Sequence, residues 1–124
     1  MGHVNNTIYF RFFESVRIEY MIQMGMFDRK GDKAVTPILA STKCDFKFPL
    51  TYPDIALASG RCVRVGKTSF TMEYRIESKA HGVVAAKGEG VIVVLSALTR
   101  APVEIDDELR ARITKIEAWE ERTL

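Results

Sequence analysis

Gly2-His3-Val4-Asn5-Asn6-Thr7-Ile8-Tyr9 runs straight into Phe10-Arg11-Phe12-Phe13-Glu14-Ser15-Val16-Arg17, and the rest of the chain is read outward from this stretch. Tyr9, Phe12, Phe13, Val16, Tyr20 and Met24 recur at the three- and four-residue spacing of one helical stripe, which predicts the main helix from Thr7 to about Met24. Asn6 is a good N-cap and Gly25 a reasonable stop. Phe10, Ile18, Met21 and Ile22 put apolar groups on the other faces, which predicts burial on several sides. Ahead of the helix, a glycine turn delivers His3, Asn5 and Asn6 to its mouth. There, free backbone N–H groups and the positive dipole end favour an oxyanion or a polarised carbonyl.

Downstream of a charged loop from Asp28 to Lys33, the hydrophobic period changes from helical to two. Cys44, Phe46 and Phe48 alternate with Lys43, Asp45 and Lys47 up to Pro49 and the Thr51-Tyr52-Pro53-Asp54 turn. A second strand is predicted from Ile55 to about Val65. Gly66-Lys67-Thr68 reverses the chain into a third from Ser69 to Ser78, and after Lys79 to Gly82 a long strand runs from Val83 to Leu98. Gly88 and Gly90 share one face of it, where another backbone, most simply the helix, approaches closely. Pro102, Glu104, Asp106 and Asp107 open a final helix whose stripe is Ile105, Leu109, Ile113 and Ile116, expected to cap a sheet edge or a subunit boundary. A helix followed by an antiparallel meander that wraps it is an α+β arrangement.

With 124 residues, 47% of them hydrophobic, the chain suits one domain with a single core, spanning residues 1–124. Eighteen Lys and Arg stand against 16 Asp and Glu, and the net charge of +2 gives no strong field for nucleic acid or anionic lipid. Cys44 and Cys62 have no CxxC spacing and only two His accompany them, which argues against a structural metal and for reduced, inert thiols in the cytoplasm. No apolar run reaches about 18 residues and no basic leader precedes one, so a soluble, cytoplasmic protein is expected.

The segment Gly2 to Tyr9, with Phe12-Phe13-Glu14 and Arg17 behind it, resembles the start of the hotdog-fold acyl-CoA thioesterases of the 4-hydroxybenzoyl-CoA thioesterase-like superfamily. Arg64-Val65-Gly66-Lys67-Thr68-Ser69-Phe70 is similar to that family's middle hairpin, and Thr99-Arg100-Ala101-Pro102-Val103 with Glu108-Leu109 to its C-terminal end. The resemblance implies an antiparallel sheet curled around the long helix, paired into a homodimer or tetramer with sites at the subunit boundary. It also implies a first strand ahead of the motif, ending in a catalytic Asp three residues before Gly2. That position falls before Met1, so the first strand and its Asp are expected to be missing, and Glu14 becomes the candidate base.

Taken alone, His3 reads either as a turn histidine capping backbone groups or as a proton relay beside a carbonyl; the resemblance implies the second. Asn5 and Asn6 read as turn and cap residues, while the resemblance implies that the Asn6 N–H faces the thioester oxygen. Glu14 is a general base or a structural ion-pair partner of Arg11 or Arg17. Tyr9 fills core or borders substrate. Arg64, Gly66, Lys67, Thr68 and Ser69 are a solvated turn on their own and, by resemblance, a phosphate-side coenzyme A site; Arg100 is a weaker candidate. The expected reaction is hydrolysis of acyl-CoA to free acid and coenzyme A, with no separate cofactor. The alternatives are an acyl carrier protein thioesterase and a non-catalytic acyl-CoA-binding protein.

Overall fold

The computed structural model describes residues 7–51 and 53–118. Helix α1 spans Thr7–Gln23, two short 3-10 turns follow at Met26–Asp28 and Gly31–Lys33, and then come strands β1 (Val35–Phe46), β2 (Ala56–Val65), β3 (Ser69–Ser78) and β4 (Val83–Ser96), with helix α2 at Asp107–Glu117. All four strands form one antiparallel sheet in the order β1-β4-β3-β2. The architecture is therefore α+β, as the change of period predicts. The meander expectation needs one correction. Only β2, β3 and β4 follow one another across the sheet. β1 crosses to the far side and pairs with β4, Cys44 opposite Gly88 and Leu39 opposite Ile92.

Helix α1 lies over β2 and β3. Two glycines let it settle there. Gly60, Tyr74 and Gly88 are direct neighbours across β2, β3 and β4. A Cβ on Gly88 would meet the Phe13 ring at 2.3 Å, and one on Gly60 would meet Val16 Cγ1 at 2.5 Å. Between them the Tyr74 ring stacks on Phe13 with centroids 4.7 Å apart. Gly88 thus makes the approach to the helix expected of it. Gly90 does not: its missing Cβ leaves room for the Tyr74 hydroxyl and Leu39. Helix burial is also narrower than expected, since Phe10, Ile18 and Ile22 are exposed on the side of α1 turned from the sheet.

Helix α2 closes the β2 edge. The Asp106 carboxylate caps it, accepting from Leu109 N at 3.1 Å, and Leu109 and Ile113 enter the core. At its far end Glu117 Oε2 accepts from the Tyr20 hydroxyl at 2.8 Å and from Cys62 N at 2.9 Å, tying α1, α2 and β2 at one point.

Candidate functional site

The first helical residue is Thr7, and no acidic side chain occupies the first turn of α1, so the positive end of its dipole is not offset by the helix's own carboxylates. His3, Asn5 and Asn6 lie outside the described residues. Tyr9 is 2% exposed, and its ring meets Phe46 at 5.1 Å and Phe12 at 6.5 Å. These contacts place the start of α1 over the end of the sheet where β1 leaves and β2 enters. Beside it the Asp54 carboxylate takes the Ser78 hydroxyl and the N–H groups of Ile55 and Ala80. The Ser78 hydrogen bond, chiefly, holds the Asp54 carboxyl below the ordinary carboxylate range. Asp54 is a turn residue here, as its sequence context suggests.

Glu14 is exposed, two turns into α1. The ion pair expected with Arg11 or Arg17 is not formed among the described residues. The reason lies in Arg17, which falls on the sheet-facing stripe with Phe13 and Tyr20 and turns inward. It is only 9% exposed and donates from Nη1 to the Tyr74 hydroxyl at 3.2 Å. Burial raises the Tyr74 phenol above its ordinary value, with Arg17 acting in the opposite sense. The spacing of four residues from Phe13 and three to Tyr20 is the signal that would have found this inward arginine.

The β2–β3 hairpin sits at the other end of the sheet. Gly66 N bonds Ser69 O at 2.7 Å to close the turn, Gly66 O accepts from Arg110 Nη2 at 2.7 Å, and Lys67 O accepts from Ile105 N at 2.8 Å. Arg64 and Lys67 are exposed, while Gly66, Thr68 and Ser69 are half-buried. From the Ile76 row, beneath the start of α1, to Phe70, six residues of β3 cover about 20 Å. One chain therefore keeps Arg64, Lys67, Thr68 and Ser69 apart from Tyr9 and the start of α1, while Glu14 stands exposed two turns further along the helix. A cleft of about 190 Å³ at the hairpin end holds further cations that the sequence does not single out, Arg29, Lys30, Lys33 and Arg112, facing Asp28 and Glu108. Arg100 stands exposed in the turn after β4.

On the opposite face of the sheet, a groove of about 580 Å³ is lined by charges from all four strands. Cross-strand pairs occupy it, Lys43 with Glu89 at 3.5 Å and Arg61 with Glu73 at 3.0 Å, which reads as a solvated sheet surface. Cys62 is buried, and burial, above all, pushes its thiol up to about 11; Cys44 is half-buried and its thiol is raised by burial as well. Neither is an activated nucleophile. Among the described residues no three His, Cys, Asp or Glu come together as a metal site, and no helix is long and apolar enough to cross a membrane.

The likeness to known proteins covers the same elements. A Thermus thermophilus thioesterase, solved in complex with coenzyme A and Zn, is 29% identical and superposes with a TM-score of 0.79 over 94% of this chain and 83% of its own. A Jannaschia structure of the thioesterase superfamily shares the fold at a TM-score of 0.83, with 24% identity over 94% of this chain and 74% of its own. The uncharacterized protein YsmA of Bacillus subtilis is 30% identical over 108 residues, 86% of this chain and 71% of YsmA. The model of the Thioesterase-like superfamily matches residues 1–113, from ahead of α1 into α2. The chain belongs to the thioesterase-like superfamily, and its fold is that of the hotdog thioesterases.

Proposed function

We propose that this chain hydrolyses acyl-CoA thioesters to free acid and coenzyme A. The observation that carries the reading is the family match over residues 1–113, which takes in the His3–Asn6 segment, α1 and the hairpin together. The coenzyme A complex of the Thermus relative supports the choice of carrier. In this reading the thioester carbonyl lies at the start of α1, its oxygen held by the Asn6 N–H with help from His3, and Tyr9 borders the acyl group. Negative charge developing on that oxygen meets a helix end free of acidic side chains in its first turn. Glu14 takes a proton from water as the water oxygen bonds the carbonyl carbon. The C–S bond then breaks, and the thiolate leaves to be protonated. No further cofactor is required, because coenzyme A is part of the substrate.

The separation of about 20 Å between the start of α1 and the hairpin supports a site shared between two copies. Arg64, Lys67, Thr68 and Ser69 of one copy would take the phosphates of a thioester held at the other's α1, in a homodimer or tetramer in the cytoplasm. Purified protein is to be assayed for thiol release from straight-chain and aromatic acyl-CoA and from the same acyl groups on acyl carrier protein. Faster turnover on coenzyme A is expected. Preference for the carrier protein reassigns the carrier, whereas thermal stabilisation by acyl-CoA without product release makes this a binding protein and contradicts hydrolysis.

A further inference from the structure

Arg17 carries a charge that no described residue neutralises. It is 9% exposed, yet among the described residues it donates to a neutral phenol and pairs with no carboxylate. Buried charges are ordinarily paired, because an uncompensated ion in a low-dielectric setting is costly. The arrangement is nonetheless built. The Tyr74 ring is fixed by stacking on Phe13, and the Tyr74 hydroxyl occupies the space left open by Gly90, 2.9 Å from where a Cβ would stand. Because α1 leans on β2 and β3, the helix-facing side of β1 is left partly open, and Leu39, which shares the Gly90 space with the Tyr74 hydroxyl, is exposed there. A ligand that enters past Leu39 would meet the Tyr74 hydroxyl and, bonded to it, the guanidinium.

Resting on the thioester reading above, we infer that Arg17, held by Tyr74, receives a carboxylate at the far end of the acyl group, so that the preferred substrates are ω-carboxyacyl thioesters. The length of the acyl group follows from the helix. Thr7 and Arg17 are about 15 Å apart along α1, and helical side chains lean back toward the N-terminus. Roughly 10 Å therefore separates the guanidinium from a carbonyl at the helix start, a span suited to an acyl chain of about six carbons. The apolar flank accepts the methylenes, and the guanidinium, in its fork geometry, accepts the terminal carboxylate in two hydrogen bonds.

The test compares pairs of equal length, succinyl- with butyryl-CoA and adipyl- with hexanoyl-CoA, in the full chain and in Arg17→Met, Arg17→Lys and Tyr74→Phe. Wild type is expected to favour adipyl- over hexanoyl-CoA by about a hundredfold in kcat/KM, mostly through KM. Arg17→Met should abolish that preference while changing hexanoyl-CoA turnover by less than about threefold, and Arg17→Lys should keep part of it. If Arg17→Met does not fold, Tyr74→Phe carries the same comparison with a smaller loss of preference. Equal or faster turnover of the uncharged member overturns the inference and leaves thioester hydrolysis standing. No turnover of any pair overturns hydrolysis instead, and the inference is then decided by which member of each pair raises Tm. Unchanged selectivity in Arg17→Met with a shifted oligomeric state assigns the guanidinium to a subunit contact and overturns the inference.

Discussion

Gly88 shows how one missing side chain positions a helix. Its nearest would-be contacts are the Phe13 ring at 2.3 and 2.5 Å and the Lys43 carbonyl at 2.9 Å, and neither a stacked ring nor a strand carbonyl can move away cheaply. Gly88→Ala is therefore expected to destabilise the chain by about 1–3 kcal/mol in urea unfolding, with overpacking as the cause. Gly31→Ala, where nothing lies within 4 Å, serves as a comparison for the purely conformational cost. Asp106 gives a second prediction at this scale. Its carboxylate pairs with Arg29, whose side chain is 7% exposed, and caps α2, and the Arg29 bond, above all, holds its carboxyl below the ordinary value. A carboxyl lowered in the folded state stabilises above its unfolded pKa of about 3.9, and that contribution disappears as pH falls through the folded value. Asp106→Asn keeps a capping oxygen and loses the charge, so it should cost about 0.5–1 kcal/mol at pH 7, in line with a half-exposed ion pair, and the difference from wild type should shrink toward pH 3. A gap that stays constant from pH 7 to pH 3 would show that the charge contributes nothing.

Among the elements, the strand limits were the most readable, because alternation in Phe70, Met72, Tyr74 and Ile76 has a period that no helix shares. The observed β3, Ser69–Ser78, has the expected limits, and β2 and β4 begin or end within two residues of theirs. Partnership was not readable. Whether β1 lies beside β2 or β4 depends on contacts between residues about fifty apart, such as Cys44 with Gly88, and local pattern does not encode them. Arg17 differs: its spacing suits a surface pair with Glu14, but the same spacing puts it on the Phe13–Tyr20 stripe, which turns it inward to Tyr74, 57 residues away. The Gly60 contact with Val16 is not legible in the sequence, because a lone glycine in a strand has several explanations. The junction of α1, α2 and β2 yields the prediction proper to this scale. Glu117→Ala removes the shared acceptor of the Tyr20 hydroxyl and Cys62 N, so a loss of about 2–4 kcal/mol is expected, with faster hydrogen exchange in α2 than in β3 or β4. Uniform exchange across the chain would mean that α2 does not depend on that contact.

At the scale of the whole molecule, the helix start and the hairpin occupy opposite ends of one sheet, and the chemistry proposed here depends on the first of them. The sequence made both ends visible as motifs. Their separation became visible only with the register, which puts the Ile76 and Phe70 rows six residue steps apart along β3. Thioester cleavage at the start of α1 is the central reaction proposed. It is tested most directly by initial rates of thiol release from the best acyl-CoA substrate, measured for wild type and for His3→Ala at matched fold and oligomeric state. Release by wild type and a fall of about a hundredfold or more in kcat for His3→Ala are predicted, the size expected when a group acting on the developing oxyanion or its proton is removed. Equal rates for the two proteins, or no release by wild type from any acyl-CoA, would contradict it.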